Sequence, residues 1–220
     1  MGWFISFIDS SLGKKLVMAV TGLFLYIYLI IHLVANLFIL GKTGDAFNAY
    51  AEFMASSFNI PVRIIEIVLF LAFIYHIING IRLWFLNRSA RGIDYNYKNQ
   101  SANSTFYSRF MIQSGIVVLI FLVIHLLDFF IPSRFGDFPM TMYDAAVMKF
   151  NNTWWSLIYI AAMILLAFHL VHAFQSGFQT LGLRHNKYTQ FIKGFGVVFS
   201  IMICLGFAII PLYFILGGGR

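Results

Sequence analysis

Thr21–Leu33 reads TGLFLYIYLIIHL, and its pattern returns at Ser114–Leu126 as SGIVVLIFLVIHL. Each copy opens on a hydroxyl residue and a glycine, runs through nine largely apolar residues and closes on His-Leu. Apolar all round, such a stretch reads as a helix buried in lipid or in a large core. A lone histidine in an oily helix is usually a satisfied core residue. Two at the same place in matching helices ask for one shared explanation.

Outward from this repeat the chain stays apolar. Of its 220 residues, 60% are hydrophobic and only 10% charged, whereas a soluble domain carries about a quarter of charged residues. Five apolar segments follow one another, Leu16–Leu40, Pro61–Leu86, Phe110–Ile131, Trp154–Phe178 and Phe195–Leu216. Each is long enough to cross a bilayer, which takes about 20 residues. Their connections are short and contain Gly, Pro, Asn and charges, so residues 1–220 read as a single all-α, five-helix transmembrane domain. The opening MGWFISFIDSSLGKK leads into a full-length span without a short apolar region and small-residue cleavage site, so no cleavable signal is expected.

The net charge of +7 is a topology signal rather than a nucleic-acid footprint. Lys14, Lys15, Arg82, Arg88, Arg91, Lys98, Arg109, Arg184, Lys187 and Lys193 fall on the N-terminal side; Lys42, Arg63, Arg134, Lys149 and Arg220 fall opposite. That ten-to-five bias places the N-terminus in the cytoplasm. The longest polar piece, Asn87–Arg109, is then cytoplasmic, either a solvated loop or a docking surface for a soluble partner. One cysteine, Cys204, excludes an intramolecular disulfide and any multi-cysteine metal or iron–sulfur site.

Histidines inside a bilayer are costly and normally face a bundle interior or a functional site. The first four spans carry His32, His76, His125 and the pair His169 and His172, each past the midpoint of its helix. Because neighbouring helices run in opposite directions, His32 and His125 share the outer half of the membrane, and His76 shares the inner half with a histidine of the fourth span. His76 and His172 each precede a basic residue, Arg88 and Arg184, by 12, whereas His169 precedes Arg184 by 15, so this count favours His172 with His169 as the alternative. Two stacked pairs of imidazoles suit two bis-histidine haems, whose filled axial positions favour electron transfer. Zinc fits less well, since no third histidine or carboxylate joins either level. Gly22, Gly115, Gly80, Ala173 and Ser176 are small residues that leave room for a porphyrin. Histidines that merely bond between helices are the plain competitor.

Lys15, Arg82, Arg109 and Arg184 lie at the inner level and are candidate partners for haem propionates, or else snorkel to the interface. Glu66 and Asp128 are the acids within apolar runs, both towards the outer face. An acid beside the outer haem could exchange protons with a quinone; alternatively each caps a loop or pairs with Arg63 or Arg134. Asn36, one turn after His32, is a hydrogen-bond donor at the same level.

The opening SSLGKKLVMAVTGLFLYIYLIIHLVAN at Ser10–Asn36, the segment FHLVHAFQSGFQTLGLRHNKY at Phe168–Tyr188, and histidines on four of five spans resemble the di-haem cytochrome b anchor subunit of succinate dehydrogenase and fumarate reductase. The resemblance covers nearly the whole chain. It implies a subunit of the bacterial cytoplasmic membrane that docks a flavoprotein and an iron–sulfur subunit on the cytoplasmic side. It also implies two b haems passing electrons to or from a quinone, usually menaquinone. Carried over by position, the outer haem falls on His32 and His125 and the inner on His76 and His172. Related di-haem fumarate reductases have a glutamate two residues before the fourth ligand, linked to proton movement; Leu170 stands there, which favours succinate oxidation. The chain has no dinucleotide fold and no cluster cysteines, so it would not oxidise succinate alone. A di-haem subunit of a nitrate reductase, formate dehydrogenase or hydrogenase shares the same physics. A haem-free transporter or assembly protein would be colourless.

Overall fold

The computed structural model describes residues 2–41, 43–89, 106–135, 140–183 and 185–218. It is that of an all-α integral membrane protein: five helices are long and apolar enough to cross a membrane, Ser11–Leu40, Ile60–Ser89, Met111–Phe135, Thr153–Thr180 and Thr189–Ile215. In chain order the helices are α1 (Trp3–Asp9), α2 (Ser11–Leu37), α3 (Asp45–Ala55), α4 (Ile60–Ser89), α5 (Phe106–Arg109), α6 (Met111–His125), α7 (Ile131–Phe135), α8 (Met142–Phe150), α9 (Thr153–Thr180) and α10 (Thr189–Ile215). A 3₁₀ turn, Phe38–Leu40, extends α2, and a π-helical turn, Leu126–Phe130, joins α6 to α7.

Local chemistry fixes where the spans begin. Ser10 is extended and its hydroxyl accepts the Gly13 N–H at 2.9 Å, which starts α2. Gly13 is required there for a second reason: a Cβ would run into the Phe7 carbonyl of α1. At the other end of the bundle the Asn152 side chain accepts from the N–H groups of Trp154 and Trp155 and starts α9.

The connections at the end opposite the N-terminus are helical rather than simple turns. The α3 and α8 helices pack on one another and on the ends of the spans. Phe47, Ala146 and Phe150 join Ile39, Tyr159, Ile210 and Phe214 in a core beneath them. Thr141 and Asp144 start α8 with a reciprocal cap, the hydroxyl accepting the Asp144 N–H at 3.1 Å and donating to its carboxylate at 2.7 Å.

A second core lies between α2, α9 and α10, where Tyr26, Met163, Leu166, Phe174 and Ile203 are buried and the Tyr26 hydroxyl meets Ser200 at 2.9 Å. α4 packs along α2, and α6 packs along α9. Among the described residues α2 has no comparable packing against α6, nor α4 against α9. The four histidine-bearing spans therefore stand in the order α4, α2, α9, α6, with α2 and α6 on one diagonal and α4 and α9 on the other. α10 closes the bundle against α2 and α9. Outward faces carry exposed Ile64, Ile67, Phe70, Leu71 and Ile78, a surface that only lipid would cover across a whole span.

Candidate functional site

The two diagonals of the bundle each bring two imidazoles together. His32 of α2 faces His125 of α6, with ring centroids 5.8 Å apart and planes 84° to one another. His76 of α4 faces His169 of α9 at 6.5 Å and 76°. Among the described residues the helices that present each pair do not pack closely on one another, and the imidazoles reach across between them.

In the inner pair the ring beside His76 is that of His169, not of His172. Counting to Arg88 and Arg184 misleads because the two arginines are not equivalent. Arg88 lies inside α4, whereas α9 stops at Thr180, before Arg184 is reached. Measured from the helix ends, His169 is the residue that stands at the depth of His76. His172 lies one turn further along, about 4.5 Å towards the inner end.

Glycines of the sequence repeat serve the opposite level from the one their own span's histidine suggests. A Cβ on Gly22 would lie 3.2 Å from Cε1 of His76, and one on Gly115 would lie 3.5 Å from Cε1 of His169. Ten residues of helix rise about 15 Å, so the residue ten before each outer histidine reaches the inner pair. Gly80 instead meets the Met18 side chain and lets α4 approach α2, and Ser176 is exposed.

Neighbouring hydroxyl and amide groups address the rings. Thr21 sits 3.4 Å from Nδ1 of His76 and gives its own proton to the Val17 carbonyl at 2.8 Å. Towards His76 it therefore acts as acceptor, which puts the imidazole proton on Nδ1 and leaves Nε2 with its lone pair. Nδ1 of His32 lies 3.3 Å from the Asn36 side-chain nitrogen and 3.5 Å from the Tyr28 hydroxyl. Nδ1 of His125 and of His169 are buried without a hydrogen-bond partner, a state that normally costs about 1–3 kcal/mol. Among the described residues no helix-to-helix hydrogen bond accounts for these two nitrogens.

The separation of the two rings in each pair is of the size an intervening iron would set. Two metal–imidazole bonds of about 2.0 Å, with roughly 1.1 Å from nitrogen to ring centre, set facing centroids about 6.2 Å apart, close to the observed 5.8 and 6.5 Å. All four rings are partly accessible. Among the described residues no three or more His, Cys, Asp or Glu side chains converge as a closed zinc site would need.

Both acids are ion-paired. Glu66 is paired with Arg63, and Arg134 approaches it to 3.8 Å; Arg63 and Arg134 also donate to the carbonyls of Met54 and Ala55 at the end of α3. Asp128 sits in the π turn with Lys149 of α8 at 2.7 Å and the Tyr159 hydroxyl of α9 donating to it at 2.8 Å. Neither Lys149 nor Tyr159 stands out in the sequence as a partner, although the Thr141–Asp144 spacing marks the helix that delivers Lys149. Lys15, Arg82 and Arg109 are exposed at the N-terminal end, where Arg82 lies 3.9 Å from Asp9. Arg184 and residues 90–105 of the long polar loop lie outside the described residues.

Residues 16–106 match the family described as the succinate dehydrogenase/fumarate reductase transmembrane subunit. The match covers under half of the chain, taking in His32 and His76 and ending just before α6 begins. It supports the membrane-anchor resemblance carried by the opening motif. No curated protein and no solved structure matches this chain.

Proposed function

We propose that this protein is the di-haem cytochrome b anchor of a succinate:quinone oxidoreductase. The observation that carries the reading is the pair of facing, near-perpendicular imidazoles on each diagonal of a four-helix bundle, at a spacing that admits iron. His32 and His125 hold the outer haem; His76 and His169 hold the inner one. The choice of His169 leaves Ala167 two residues before the ligand, so no acid stands there on this assignment either, and succinate oxidation remains the favoured direction.

Two b haems would supply a one-electron path between the two faces of the membrane. The chain's own residues orient the rings, Thr21 accepting at Nδ1 of His76 and the Tyr28 hydroxyl standing at Nδ1 of His32, while the Asn36 amide donates to the His32 carbonyl. Lys15, Arg82, Arg109 and Arg184 are assigned to the inner haem's propionates. The same end of the bundle receives the iron–sulfur and flavoprotein subunits, on the cytoplasmic side of a bacterial inner membrane. Quinone, with menaquinone as the expected species, reacts at the outer end. Asp128 and Glu66 are the proton-exchanging candidates there, and each would have to open its ion pair to act.

The complex purified with its partner subunits is expected to carry near two haems per chain in a pyridine haemochrome assay, together with a covalent flavin. A stable, colourless protein would overturn the reading. Near-perpendicular axial imidazoles keep two iron d orbitals close in energy. Both ferric haems are therefore expected to give strongly anisotropic low-spin signals in electron paramagnetic resonance.

A further inference from the structure

Asp128, Lys149 and Tyr159 form a polar cluster directly against the outer histidine pair. The Tyr159 ring is edge-on to Phe121 at 5.0 Å and tilted across His125 at 6.2 Å. Its hydroxyl donates to one oxygen of Asp128 at 2.8 Å, and Lys149 binds the other at 2.7 Å. The ammonium is also held 3.9 Å over the Trp155 ring. The side chains of Lys149 and Asp128 are only 19% and 12% exposed, so water screens their charges weakly. Three different elements meet in this cluster: the π turn that follows His125, the cap helix α8 and the span α9. A π turn interrupting a helix one residue after a proposed ligand is the kind of distortion found at functional sites.

Resting on the di-haem reading above, we infer that Lys149 and Asp128 act with opposite sign on the reduction potential of the outer haem, each balancing the other, and that Tyr159 positions both the carboxylate and the His125 ring. A buried carboxylate three residues from an axial ligand favours the ferric state, which is the more positive one. Lys149 offsets that charge. The inner pair has no such cluster among the described residues, so loss of either charge alone moves the outer haem's potential and not the inner one's. Because Lys149 comes from α8, the outer cap is part of the redox centre's electrostatics and not merely a lid.

Redox titration of the purified complex, following the two haems separately by optical and paramagnetic-resonance spectra, tests this. The outer haem is identified as the one lost in His125→Ala. Lys149→Met is expected to lower the outer haem's potential, and Asp128→Asn to raise it, with the inner haem unmoved. The double variant should return close to the wild-type potential, since the two opposed charges leave together. Lys149→Arg keeps the charge and should stay close to wild type. Tyr159→Phe, which keeps the ring in place, should lower the outer potential by less than Lys149→Met and alter the anisotropy of that haem's signal alone. Equal shifts in both haems, or no shift in variants that retain both, would overturn the inference while leaving the di-haem reading intact. Absence of haem from the wild-type complex would instead remove the reading beneath it.

Discussion

His169→Ala is expected to cut haem content from near two to near one per chain, while His172→Ala leaves it near two. The ring facing His76 across the bundle belongs to His169, at 6.5 Å between centroids. His172 is displaced from that level by about 4.5 Å along α9 and turned about 60° around it, too far to share an iron with His76 without moving a helix whose core residues Leu170, Val171 and Phe174 are buried. The surviving haem in His169→Ala should keep the outer signature, the one that His32→Ala and His125→Ala remove. If instead His172→Ala loses the inner haem and His169→Ala keeps it, the pairing of α4 with α9 at this depth is wrong.

Five spans were legible because length and apolarity alone decide them, and a histidine on each of four spans survives any error of a residue or two in helix ends. Depth is less forgiving. Three residues separate His169 from His172, and a ruler based on flanking arginines fails when one lies inside its helix and the other past the end. The helices α3 and α8 escape a reading tuned to long apolar runs, since they are only 11 and 9 residues long and are broken by Asp45, Asn48 and Glu52 in one and by Asp144 and Lys149 in the other. With α8 read as a loop, Lys149 has no defined position, and Asp128 is left with Arg134 as a partner. The π turn at Leu126–Phe130 has no sequence signature here.

Leucine at Gly22 or at Gly115 is expected to remove the inner haem and spare the outer one, although both glycines lie on spans that carry the outer ligands. The expectation follows from the antiparallel packing. A Cβ at Gly22 already comes within 3.2 Å of the His76 ring, tighter than ordinary contact, and one at Gly115 within 3.5 Å of His169. A leucine continues from there into the space the imidazole occupies, and overpacking of this kind costs about 1–3 kcal/mol even where neighbours adjust. The cheapest adjustment is rotation of the histidine away from its partner, which breaks the pair without unfolding the helix. His32 and His125 stand about 15 Å away along the same helices and do not feel the change. Gly80→Ala provides the control, because its Cβ would meet only the flexible end of Met18 at 3.2 Å and should leave both haems in place. Loss of the outer signal from Gly22→Leu or Gly115→Leu would mean that each glycine serves the histidine of its own span, and the two levels would then have to be closer together than ten residues of helix allow.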